Sequence, residues 1–261
     1  MSKAPRISLY FYKLSDFVAF CQGKHSASGK VKTPEVIYLP ALPLIVSLSD
    51  KSSEITTFID KTRQNNTKII IALPYIMRGK AAEAFKKNYE NLTKLSDGFL
   101  LGNIGDSEII KELSEKTGTK LPKMHGDYSL NVTNRETAAY FSKSFESIAL
   151  LPELDIEAQL ALAGKFPQGL TAEICTGHNI IVMRSEHCFA AEKEGYHCGR
   201  CGKQGDLAPA LSDIHGNIYP LVCNPLDCNC IMLAPRGKSE ENPLRYEKNL
   251  PENVLLRFSI I

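Results

Sequence analysis

From about residue 7 to residue 175 the chain repeats one pattern: a short β-branched or aromatic run, then a longer segment with apolar residues at helical spacing. The runs are Ile7–Tyr12, Val36–Leu39, Lys68–Leu73, Gly98–Leu101, Pro122–His125, Ser147–Leu151 and Leu170–Ile174. Between them, Ser53–Gln64, Gly79–Leu95, Asp106–Lys116, Asn134–Ser144 and Ile156–Lys165 carry few breakers and read as helices. Asn134 and Asp155 stand where N-caps belong, and Gly102, Gly118 and Gly164 fall where elements should stop. Strand–helix alternation at intervals of roughly 30 residues builds parallel βα units. Seven such strands, with an eighth expected later, predict an α/β fold: a (β/α)-barrel of the TIM type, complete or slightly irregular. An open doubly wound sheet is the competing arrangement. Its dinucleotide-binding version is disfavoured, because no G-x-G-x-x-G loop follows the first strand.

A chain of 261 residues, 43% hydrophobic and 23% charged, can build one large core, or a domain and a smaller appendage. The formal net charge of +2 points to no nucleic-acid, membrane or acidic partner. It does not speak to local clustering. Lys61, Arg63, Arg78, Lys80, Lys86 and Lys87 could line a phosphate-binding groove, although solvated helix faces are their plainer reading. The most apolar run, Tyr38–Ser47, is about half the length of a membrane span and contains two prolines. The opening Met-Ser-Lys-Ala-Pro-Arg has no apolar signal core behind it, so an intracellular, cytoplasmic chain is expected.

After Cys175 the texture changes. Of eight cysteines only Cys21 precedes this point, and Cys188, Cys198, Cys201, Cys223, Cys228 and Cys230 crowd in after it. Periodicity fades there, so the expected layout is barrel units over 1–175, a cysteine-rich metal-binding region over 176–233, and a linker with a terminal strand over 234–261. An exposed apolar end is unfavourable. The final run Val254–Ile261 is therefore expected to pair into a sheet, or the chain to be a piece of something longer.

The spacing is Cys188-x9-Cys198-x2-Cys201, then Cys223-x4-Cys228-x-Cys230. A C-x2-C pair places two thiolates on one tight turn, the usual way to present two ligands to one metal. In an intracellular chain such clusters read as ligands rather than disulfides. Arg184, Lys193, Arg200 and Lys203 would favour the thiolate forms. Four thiolates satisfy either tetrahedral zinc or an iron–sulfur cubane, and spacing does not choose between them. His187, His197 and His215 could complete a mixed zinc site. Cys175, ending a strand, reads as a small buried hydrophobe.

The order of motifs carries a resemblance. Met124-His125-Gly126-Asp127-Tyr128-Ser129-Leu130-Asn131-Val132-Thr133-Asn134 is followed by Leu151-Pro152-Glu153-Leu154-Asp155. Ala172-Glu173, Thr176-Gly177-His178 and Val182-Met183-Arg184-Ser185-Glu186-His187-Cys188 come next. The C-x2-C and Leu211-Ser212-Asp213-Ile214-His215-Gly216-Asn217-Ile218-Tyr219-Pro220 close the series. This succession resembles the U32 peptidase family, the collagenase-like proteases, over roughly residues 120–233. The resemblance implies a barrel-like fold and a [4Fe–4S] cluster held by Cys188, Cys198, Cys201 and a fourth ligand. Cys228 fits that position best, with Cys223 and Cys230 as alternatives. Despite the name, several members carry out oxygen-independent hydroxylation of RNA bases or of a quinone ring, whereas others are peptidases. The opening Pro-Ala-Gly and Gly-Ala-Asp-Ala-Val signatures of many members are absent. The early strands look more like the C-terminal half of long members, which implies a second U32-type domain or subunit as partner.

Active sites of (β/α)-barrels lie at the C-terminal ends of the strands. His125 and Asp127 follow the fifth strand, Glu153 the sixth, and Glu173 lies near the end of the seventh. Strand alternation could aim Glu173 inward with Thr171 and Cys175. These four are the expected catalytic residues, able to bind substrate or move protons. Neither a G-x-S-x-G elbow nor an H-E-x-x-H helix is present, so a redox enzyme uses this sequence better than a peptidase does. A metal-stapled interaction domain without turnover is the third expectation.

Overall fold

The computed structural model of the chain describes residues 5–25, 33–50, 53–176, 179–187, 189, 210–223, 226, 229–235 and 250–261. Seven parallel strands follow in order: β1 (Ile7–Phe11), β2 (Val36–Pro40), β3 (Lys68–Ala72), β4 (Gly98–Leu101), β5 (Met124–Gly126), β6 (Ser147–Ala149) and β7 (Thr171–Cys175). Four strands then leave this series: β8 (Ile181–Ser185), β9 (Ala210–Ser212), β10 (Ile218–Cys223) and β11 (Cys230–Leu233). The terminal run returns as β12 (Val254–Ile260) and inserts between β7 and β1, with Val254 opposite Ala172 and Leu256 opposite Ile7. The eight parallel strands close into a barrel, which rules out the open doubly wound sheet.

The helices are α1 (Leu14–Cys21), α2 (Ala41–Leu48), α3 (Ile55–Gln64), α4 (Gly79–Leu95), α5 (Gly105–Thr117), α6 (Arg135–Phe141) and α7 (Ile156–Ala163). The side chains of Asn134 and Asp155 do cap α6 and α7, accepting from the backbone N–H of Thr137 at 2.8 Å and of Ala158 at 2.7 Å. Gly118 ends α5 at φ 66°, a conformation open to glycine without strain. Helices α1 and α2 are not among those expected from the sequence. In α2, Leu42, Leu44 and Ile45 are all buried, so the helix lacks the polar face that betrays a 3.6 period. Its Pro43 lies in the first turn, where a missing N–H costs no intrahelical bond. Similarly, β5 begins at Met124 rather than Pro122, because proline has no N–H to give to a ladder.

Strand alternation divides the core in two. Leu9, Phe11, Ile37, Leu39, Ile69, Ile71, Phe99 and Leu101 face outward and pack under the helices. Tyr10, Tyr38, Ile70, Ala72, Leu100 and Leu255 belong to the inner cluster. Over one mouth of the barrel lies an antiparallel sheet in the order β8-β11-β10-β9. Leu233 is buried in the inner cluster, and Ile181, Val222 and Ile231 pack against it. The Tyr128 hydroxyl accepts from the Ile181 N–H at 3.1 Å, and the Tyr12 hydroxyl donates to the Asn179 carbonyl at 2.8 Å. Among the described residues no helix is long and apolar enough to cross a membrane.

Candidate active site

Glu173, at the centre of β7, points into the barrel and is fully buried. Its Oε1 accepts from Tyr38 and from Ser147 at 2.7 Å, and its Oε2 from Ser8 at 3.3 Å and from Arg257 Nε at 2.9 Å. Arg257, on β12 and 1% exposed, also donates from Nη1 to Asp127 Oδ1 at 2.5 Å. Asp127 accepts further from its neighbour's N–H, Tyr128 N at 2.9 Å, and from the Tyr75 hydroxyl. The guanidinium carbon of Arg257 lies 4.5 Å from the Tyr38 ring centroid, within cation–π range. One cation thus joins two carboxylates from β7 and the β5 end.

The titration behaviour follows from this packing. Burial pushes Glu173 up, but Arg257, Tyr38 and Ser147 outweigh it and hold the carboxyl below its ordinary range. Burial likewise works against the Arg257 charge, and the Glu173 and Asp127 carboxylates overcome it. For His125 burial prevails and lowers the imidazole to about 4. Burial raises the Cys175 thiol to about 12, so it is no nucleophile near neutrality. Because the single Ser147 proton goes to Glu173, Ser147 Oγ must accept from His125 Nδ1, which lies 2.9 Å away. His125 is then the neutral Nδ1–H tautomer. Its Nε2 carries a bare lone pair and, like Arg257 Nη2, finds no hydrogen-bond partner among the described residues.

A cavity of about 110 Å³ sits between the barrel mouth and the small sheet. Tyr10, Tyr12, Tyr75 and the Pro40–Pro43 segment form its barrel wall, and Arg184, Val222 and Ile231 its outer wall. Arg184 lies flat on Tyr75, with its guanidinium carbon 3.7 Å from the ring centroid. Tyr75 therefore touches both Arg184 above and Asp127 below. Its loop is clasped a second time by the ion pair of Arg78 with Glu186. Gly102 makes room for Tyr75: a Cβ there would overlap the tyrosine ring.

Three of the four expected catalytic residues, His125, Asp127 and Glu173, thus converge in one hydrogen-bonded network. Glu153 does not join them; it is exposed on the turn after β6, because the chain bends outward beyond the buried Leu150. Arg257, Tyr38, Tyr75 and Ser147 are partners not expected from the sequence. An arginine inside the apolar run Val254–Ile260 is the one signal that could have marked them. Cys188, Cys198, Cys201 and Cys228 lie outside the described residues, as does His197. Among the described residues no three His, Cys, Asp or Glu side chains are placed to hold a metal ion. Cys223 and Cys230, the alternative ligands, face each other across β10 and β11 with their sulfurs joined. Of the basic candidates, Arg63 pairs with Asp97 at 3.0 Å and Arg78 with Glu186, while Lys80, Lys86 and Lys87 are exposed on α4.

No family model matches this chain, and no curated protein matches it either. Among solved structures it is similar to a protein assigned as a fructose-1,6-biphosphate aldolase from Coccidioides immitis, at 14% identity and a TM-score of 0.42, covering 66% of this chain and 64% of that one. It is also similar to the Bacillus cereus spore cortex-lytic enzyme SleL, at 7% identity and a TM-score of 0.44, covering 98% and 71%. A third is 3-keto-L-gulonate-6-phosphate decarboxylase from Vibrio cholerae, at 14% identity and a TM-score of 0.34, covering 69% and 80%. The chain spans less than two thirds of the length of the first of these. Likenesses this loose carry no information about activity.

Proposed function

We propose that this chain is a U32-like iron–sulfur protein, an enzyme or enzyme subunit for oxygen-independent hydroxylation of a flat ring, an RNA base or a quinone-type compound. One observation carries the reading. Asp127 and Glu173 meet on Arg257, and His125 joins them through Ser147, beneath a mouth cavity whose outer wall is formed by residues of β8, β10 and β11. Cys188 follows Ser185 by three positions and Cys228 precedes Cys230 by two, and Ser185 and Cys230 are register partners in β8 and β11. The four thiols of Cys188, Cys198, Cys201 and Cys228 are a donor set that suits a [4Fe–4S] cluster, with zinc as the alternative. When bound, such a cluster would supply one-electron redox chemistry.

The chain's own residues then bind and orient. Glu173 accepts four hydrogen bonds and is held ionised, so it acts as a fixed anion rather than a proton carrier. Arg257 is a fixed cation, and together they hold Asp127 and, through it, the Tyr75 hydroxyl at the cavity floor. Tyr10 and Tyr75 give the cavity an aromatic wall, and Arg184, stacked on Tyr75, offers the positive charge at the rim. With mostly apolar walls, the cavity suits a quinone-type ring better than a base, whose polar edge needs several partners.

Anaerobic purification followed by iron and sulfide analysis and a visible spectrum tests the proposal. The expected result is brown protein with broad visible absorbance, lost in Cys198→Ala and Cys201→Ala. Zinc without iron under those conditions would defeat the iron–sulfur reading. Gelatin hydrolysis that survives metal removal would establish a peptidase instead.

A further inference from the structure

Antiparallel pairing of β10 with β11 sets Cys223 opposite Cys230, with their Cα atoms 4.2 Å apart. Such a short separation marks a non-hydrogen-bonded pair, the position where facing side chains come closest. The two cysteines are unequal in access. Cys230 is 1% exposed and borders the mouth cavity, whereas Cys223 is only partly buried. Their neighbours in register, Val222 and Ile231, are part of the cavity's outer wall. A bond between the two cysteines therefore fixes that wall at its edge.

We propose that Cys223 and Cys230 form a reversible dithiol–disulfide, a redox modification site at the rim of the mouth cavity, separate from the cysteines assigned above to a metal. The oxidant is a small disulfide such as glutathione disulfide. The Cys223 sulfur, the more accessible, attacks one oxidant sulfur; the oxidant's S–S bond breaks and one thiol departs. The Cys230 sulfur then attacks the mixed disulfide at Cys223 and releases the second thiol. Two protons and two electrons leave with the two small thiols, and a dithiol reductant reverses both steps. In the oxidised form β11, with Ile231, is tied covalently to β10; in the reduced form backbone hydrogen bonds and apolar packing hold the pair without that tie, and the wall opens more often.

The test uses the full chain, purified anaerobically and equilibrated with reduced and oxidised glutathione. Free thiols are alkylated with one reagent, then disulfides are reduced and labelled with a second, and peptides are mapped. Cys223 and Cys230 should change label together, the oxidised protein yielding one peptide pair linked through those two residues. Hydrogen exchange at the β10 and β11 amides should slow by on the order of tenfold or more on oxidation. Metal content should be the same in Cys223→Ser as in the wild type. Independent labelling of the two cysteines, or pairing of either with another cysteine, overturns the proposal. So does loss of metal from Cys223→Ser, which would make the pair ligands. A linked pair in metal-free protein would leave this inference standing while removing the iron–sulfur reading.

Discussion

Arg257 brings a positive charge into a part of the barrel that such folds usually fill with layers of branched apolar side chains. Its partners Asp127 and Glu173 are equally buried, so each charge depends on the others for the solvation it has lost. Replacing Arg257 with leucine leaves two carboxylates without their cation. The expected loss in urea-unfolding free energy is about 3–5 kcal/mol. Adding Glu173→Gln to that variant removes one of the stranded charges and should return part of the loss, since buried pairs are strongly non-additive. A loss below about 1 kcal/mol for Arg257→Leu would show that the triad is not formed. At this scale only part of the site was legible. His125, Asp127 and Glu173 stand out as polar residues in or just after apolar strand runs, whereas Arg257 lies in a terminal run whose place in the barrel is set by pairing with β7 and β1, both far away in the chain. Tyr10 and Tyr38 read as ordinary core aromatics, and nothing local says that they face inward.

Among the elements, the loop between β3 and α4 joins the barrel to the small sheet at two points. Tyr75 reaches Asp127 below and Arg184 above, and Arg78 reaches Glu186. Gly102 is the clearance that permits this, so Gly102→Ala should push the Tyr75 ring off its seat. The expected cost is about 1–3 kcal/mol in urea unfolding, as for other insertions into filled space. Tyr75→Phe keeps the ring and loses only the bond to Asp127, so it should leave Arg184 stacked. Stability of Gly102→Ala within about 0.5 kcal/mol of the wild type would show that the ring does not pack there. The presence of the barrel strands was readable because strands buried on both faces are short, continuous apolar runs. Their phase was not: in Ile69-Ile70-Ile71 both faces are apolar, so the sequence does not say that Ile70 alone looks inward. Nor did the pattern reveal that β8 to β11 fold as a sheet over the mouth, since these strands are short and, in β8 and β9, never more than half-buried.

For the whole molecule, the buried titratable groups set how stability varies with pH. Burial lowers His125 from an ordinary value of about 6.5 to about 4 in the folded chain. Between those values the unfolded chain binds a proton that the folded one refuses, so this contribution is complete above about pH 6.5 and is lost as pH falls towards 4. Its upper limit is about 3 kcal/mol. Glu173, held low by Arg257, Tyr38 and Ser147 against its burial, acts in the same sense: its contribution is present above the ordinary carboxylate range and lost as pH falls through it. Asp106 opposes both. Burial at the start of α5 raises it to about 6, so the folded chain binds the extra proton and stability falls as pH rises through that region. In the unfolded chain His125 takes up its proton from about pH 6.5, earlier on acidification than folded Asp106 at about 6, so between pH 7 and pH 5 the histidine effect is the larger. The urea midpoint should therefore fall between pH 7 and pH 5. In Asp106→Asn the fall should be steeper, since the opposing group is gone. In His125→Gln it should be shallower, because glutamine takes up no proton in that range. A midpoint that varies equally in wild type and His125→Gln would mean that His125 titrates as a solvated imidazole. Its bond to Ser147, and with it the orientation of the network inside the barrel, would then be wrong.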